Sequence, residues 1–109
     1  MLALAGPAEV TEARAQRTGP AEGGAVWRFD VTLRHGDTGW DHYADAWEIR
    51  LPGGEVLGTR TLFHPHVEEQ PFTRSLSGVT IPRGTAQVLI YPRDSVHGWG
   101  APLTLDLPR

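Results

Sequence analysis

The sequence predicts an all-β fold: an antiparallel, immunoglobulin-like sandwich of about seven short strands. Three observations lead there. Its 109 residues include 13 glycines and 9 prolines, and these are spread along the chain instead of gathering in one tail. Between them run segments in which apolar and polar residues alternate with period 2. No stretch sustains the 3.6-residue period of a helix, and turn signals recur every 8–12 residues or so, as in sandwiches.

The elements follow in order. Ala8–Arg17 is a weakly patterned strand, expected at an edge, and the Gly/Pro-rich segment Thr18–Ala25 is a turn. "VWRFDVTLRH" (Val26–His35) is the clearest strand: Trp27, Phe29, Val31 and Leu33 share one face, and His35 continues that parity as the strand runs out. After "GDTGWD" comes "HYADAWEIRL" (His42–Leu51), with Tyr43, Trp47, Ile49 and Leu51 on one face and Asp45 among them. Trp47 occupies the place where such sandwiches bury a tryptophan. "PGGE" is a hairpin turn and "VLGTRTLF" a strand. In "TRSLSGVTIP" the apolar parity slips between Leu76 and Val79, which marks Gly78 as a bulge. "AQVLIYP" is apolar on both parities and hence central, "RDSVHGWGAP" is a loop, and "LTLDL" turns Leu103, Leu105 and Leu107 inward. Residues 8–109 thus read as one domain.

"VTIPRGTAQVLIYPRDSVHGWG" resembles the late-strand region of fibronectin type III domains, with Gln87 and Val88 where that family has a tyrosine. Trp27–Gly100 also resembles small bacterial sandwich proteins carrying an HPHxxEQPFTRS-like motif. Both resemblances imply the fold, and neither implies an activity.

Composition excludes several classes of function. The net charge is −3, and all ten basic residues are arginines with no cluster able to neutralise several phosphates, so no nucleic acid is expected. Cysteine is absent, which removes thiolate ligands, disulfides and a cysteine nucleophile. No apolar run approaches the ~18 residues of a membrane span. No nucleophile elbow, phosphate-binding glycine loop or metalloprotease signature is present, so an enzyme is not expected. Residues 1–7 read as the remnant of a signal peptide, with Ala3-Leu4-Ala5 as a small-x-small cleavage site, or else as a disordered N-terminus. That points to a periplasmic or secreted protein, with a cytoplasmic one as the alternative. A monomer is expected.

Alternate loops of an antiparallel chain go to opposite ends. All five histidines, His35, His42, His64, His66 and His97, fall in loops of one end, together with Trp40, Trp99, Asp37, Asp41, Glu68, Glu69 and Asp94. Neutral imidazoles suit zinc, copper or nickel, and adjacent carboxylates ligate or orient them. The "HPH" step makes His64 and His66 the first expected ligands, followed by His97, His35 and His42. Glu68, Glu69, Asp41 and Asp94 are candidates for the surrounding shell. Three readings stay open. One is a metal-binding sandwich. Another is a module gripping a protein or carbohydrate by stacking on Trp40 and Trp99, and the third is a purely structural domain. Asp45 and Arg74, both on inward parities, are expected to form a structural ion pair.

Overall fold

The computed structural model describes residues 6–108, so the Ala3-Leu4-Ala5 site lies outside the described residues. Eight strands run in order: β1 (Glu9–Ala21), β2 (Gly24–Arg34), β3 (Ala44–Arg50), β4 (Val56–Thr61), β5 (Phe72–Pro82), β6 (Gln87–Asp94), β7 (Gly98–Trp99) and β8 (Leu103–Asp106). All pairings are antiparallel. One sheet has the order β1-β2-β5; the other has β4-β3-β6, with β7 and then β8 sharing the far edge of β6. This is the predicted immunoglobulin-like sandwich. None of the described residues forms a helix long and apolar enough to cross a membrane.

The core follows from strand parity. Phe29, Val31 and Leu33 on β2, Trp47 and Ile49 on β3, and Val88 and Ile90 on β6 are fully buried between the sheets. Leu103, Leu105 and Leu107 pack against them from the edge. Burying each such side chain contributes about 1.5–3 kcal/mol.

Two register features bear on the sequence reading. Trp27 pairs with Val79 and Phe29 with Leu76, so Ser77 and Gly78 together oppose Arg28. Gly78 has φ +72, and the bulge lies where the parity slip placed it. The first turn differs from the expectation: β1 runs on through Gly19 and Pro20 to Ala21, and the turn tightens to Glu22–Gly23. As an edge strand β1 tolerates a proline, and a register shift between Arg17 and Gly19 absorbs the irregular residues. β6 likewise extends two residues beyond Pro92, through Arg93 to Asp94, into what reads as loop in the sequence.

Candidate metal centre

The site grows out of two inward-facing columns of side chains that outlast the apolar core. One residue past the end of β2, the position after Leu33 in the column is His35, and its side chain is fully buried. On β6 the column Val88, Ile90, Pro92 ends at Asp94, also fully buried. Ala44, the first residue of β3, pairs with Asp94, so the loop before it brings His42 over the same end of the core. Thr38 N–H donates to the His42 carbonyl (3.0 Å) and His42 N–H to that of Gly39 (3.2 Å), fixing this loop.

Three potential ligand atoms converge here. His35 Nε2 lies 3.2 Å from His42 Nε2, and His42 Nε2 lies 3.0 Å from Asp94 Oδ1. The ligand atoms of all three residues fall within 4.8 Å of one another. Tetrahedral zinc with Zn–N bonds of about 2.0–2.1 Å spaces its nitrogens by roughly 3.3–3.4 Å, close to this separation. His97 flanks the group: its Nδ1 is 3.1 Å from Asp94 Oδ1, and its ring centroid is 5.0 Å from that of His42. Solvent reaches the cluster from this side, because the His97 side chain is 39% exposed and that of His42 15%.

The two carboxylates do different work. Asp94 Oδ1 accepts the backbone N–H groups of Val96 (2.9 Å) and His97 (2.7 Å), which anchors the turn into β7. Burial pushes its carboxyl up, yet the amides of His97 and Val96 and then the His97 ring outweigh burial and hold it below the ordinary carboxylate range. It therefore stays an anion among imidazoles. Asp37, buried as completely, accepts from His35 Nδ1 at 2.6 Å and from Ala44 N–H at 3.0 Å on one oxygen. Its other oxygen accepts His66 N–H at 2.7 Å.

The HPH step does not join this cluster. Arg74 Nη2 lies 2.9 Å from His66 Nε2, and a guanidinium only donates. The single lone pair of a neutral His66 is thereby occupied, and its Nδ1–H is buried without an acceptor among the described residues. Burial, then the charges of Arg74 and His64, hold the His66 ring below its ordinary pKa. The ring lies 4.0 Å from Phe72, nearly parallel to it, as part of the packing at this end. His64 is exposed, 5.0 Å from His66 ring to ring. The structure thus reverses the order of the expected ligands: His35 and His42 converge with Asp94, while His64 and His66 stand apart.

The remaining candidates fall elsewhere. Glu69 pairs with Arg74 at 3.0 Å, and the Arg74 hydrogen bond holds its carboxyl low. Glu68 and Asp41 face solvent. The expected Asp45–Arg74 ion pair is not formed. A register shift between Ala44 and Ala46 makes Asp45 the extra residue of a bulge, and its carboxylate meets Arg93 on the neighbouring β6. Arg74 belongs to β5 in the opposite sheet. Trp40 and Trp99 have different partners instead of a common platform. Trp40 is 68% exposed and meets Tyr43 edge-on at 5.6 Å, whereas Trp99 takes the guanidinium of Arg50 over its ring at 4.8 Å, on the face where Arg50 also covers Tyr91 at 4.1 Å. Asp37, noted in the sequence only as an acid of this pole, proves to be the hub of its hydrogen bonds.

Comparison with known proteins adds one relative. The chain is 44% identical over 78 residues to a Halomicrobium mukohataei protein named "Putative lipoprotein", an overlap of 72% of this chain and 38% of that protein. The chain therefore spans well under half the length of the curated relative it matches. No protein-family profile matches it, and no solved structure does.

Proposed function

We propose that this chain is a metal-binding β-sandwich module of an exported protein, holding a borderline divalent cation through His35, His42 and Asp94. The observation that carries the proposal is the pair of imidazole Nε2 atoms facing each other at 3.2 Å beside a buried carboxylate. Between two facing ring nitrogens only one hydrogen fits, whereas a single cation satisfies both lone pairs and the anion together. Two imidazoles and a carboxylate suit zinc, with copper and nickel next, and His97 stands where a fourth ligand or an exogenous one would enter. Export agrees with the signal-like sequence of residues 1–7 and with the name of the Halomicrobium relative. The module is read as a binder, because its sequence carries no nucleophile elbow, phosphate-binding glycine loop or metalloprotease signature.

A second reading has its own support. Asp94 Oδ1 already receives two backbone N–H groups, the arrangement of a carboxylate that pins a turn. In that case the histidines form a structural knot. Titration of chelator-treated protein with zinc, copper and nickel, followed by histidine NMR, separates the two. The metal reading expects saturable sub-micromolar binding that shifts His35 and His42 together and leaves His64 in place, and His42→Ala weakens it on the order of 100-fold or more. Absence of saturable binding, or His64 and His66 shifting first, overturns it in favour of the knot.

A further inference from the structure

His35 and His66 lie in different loops, yet two side chains bridge them in parallel. Asp37 joins His35 Nδ1 (2.6 Å) to His66 N–H (2.7 Å) through its two oxygens. Gln70 joins the same two residues by the backbone, its Oε1 accepting His35 N–H at 3.0 Å and its Nε2–H donating to the His66 carbonyl at 2.9 Å. Both bridges are buried or half-buried, and both end on the HPHVEEQ loop.

We propose that Asp37 is the positioning residue of the metal centre and the link through which metal occupancy is felt by the HPHVEEQ loop. This rests on the metal reading above. A carboxylate accepting at Nδ1 places the hydrogen of a neutral His35 there, which leaves Nε2 as the lone pair aimed at His42 and Asp94. Carboxylate–histidine–metal relays of this kind fix the ring and raise its basicity as a ligand. Fixing His35 also fixes Asp37, and the second carboxylate oxygen then holds the His66 amide. A metal ion bound at His35, His42 and Asp94, none of them in this loop, thereby restrains a segment that presents the exposed His64 and Val67 to solvent.

Histidine ¹⁵N–¹H correlation of the metal-free protein comes first. His35 is expected as the Nδ1–H form, and an Nε2–H form overturns the proposal whether or not metal ever binds. With zinc added, the His66 amide is expected to exchange at least ten-fold more slowly. Asp37→Asn is expected to weaken zinc binding by about 10–100-fold and to abolish that protection; zinc affinity kept within two-fold overturns the proposal. Gln70→Ala removes the parallel bridge and leaves Asp37 in place. It is expected to keep zinc affinity within about three-fold and to retain zinc-dependent protection of His66. Loss of that protection in Gln70→Ala overturns the proposal even if Asp37→Asn fails to fold. Failure of the wild type to bind zinc, with His35 in the Nδ1–H form, overturns the metal reading and the link to occupancy while leaving the hydrogen-bond arrangement intact.

Discussion

The two ends of this sandwich are closed by different means. At the end away from the histidines the chain turns on backbone geometry. Gly23, Gly54 and Gly84 take positive φ, and main-chain bonds such as Arg83 N–H to the Gly23 carbonyl (2.8 Å) and Gly54 N–H to that of Leu51 (2.8 Å) complete the turns. At the histidine end, residues 35–43 and 62–71 are longer and cross between the sheets, and backbone donors reach inward side chains: His35 N–H the half-buried Gln70, His66 N–H the buried Asp37, and, in the turn after β6, Val96 and His97 N–H the buried Asp94. A turn closed by its own backbone has no use for buried acids. A loop closed by side chains must bring carboxylates and their partners into the interior, and chemistry becomes available only there.

Breaking each end by its own means tests this contrast, and the largest effect belongs to the backbone-closed end. A Cβ added at Gly24 would stand 2.0 Å from the Ile81 carbonyl oxygen, with Ile81 C and Pro82 Cα the next nearest atoms at 2.9 and 3.1 Å, whereas nothing lies within 4 Å of one at Gly53. Chemical denaturation of Gly24→Ala should show a loss of about 3 kcal/mol. Gly53→Ala should stay within about 0.5 kcal/mol of wild type.

Next in size is the side-chain-closed end. Asp94→Asn replaces the buried acceptor of two backbone amides and two imidazoles, and a loss of about 2 kcal/mol in metal-free protein is expected in the same assay. Asp106→Asn, whose carboxylate meets Gln87 on the surface among the described residues, should change stability by less than about 0.5 kcal/mol. Equal effects of the two would erase the distinction between the ends.

A smaller effect appears with pH. The His66 pKa is lowered in the fold, so below its ordinary value of 6.5 the unfolded chain binds protons that the native ring refuses. Its contribution is whole above 6.5 and is lost as pH falls through the lowered value. Denaturation midpoints measured from pH 7 downward should fall less steeply in His66→Gln than in wild type. Smallest of all is His64→Ala: stability within about 0.5 kcal/mol and zinc affinity within two-fold, by denaturation and titration.

How much of this could be read in advance depends on whether parity carries the signal. The sandwich, the buried Trp47 and the Gly78 bulge all follow from alternation, which a sequence displays directly. So does the inward turn of His35, and the same count along "VLIYPRD" carries Val88, Ile90 and Pro92 on to Asp94, a signal that treating Arg93 and Asp94 as loop conceals. Asp37 is different: nothing in "HGDTG" says that this carboxylate folds under the loop to meet His66. The HPH step misleads for a related reason. Two histidines one residue apart look like a chelating pair until Arg74, eight residues on, donates to the nitrogen that would bind. Spacing displays which groups are neighbours along the chain, while hydrogen-bond competition is settled across it.

The four tryptophans carry a consequence of their own. Trp27 and Trp47 are sealed in the core, while Trp40 stands in solvent two residues before His42 and Trp99 lies half-open beneath Arg50. Ultraviolet excitation thus addresses two populations at once. Blue-shifted emission comes from the interior and reports whether the sandwich is intact; red-shifted emission from Trp40 is within reach of anything paramagnetic at His42. The protein carries its own pair of lamps, one for the scaffold and one for the end where its chemistry lies.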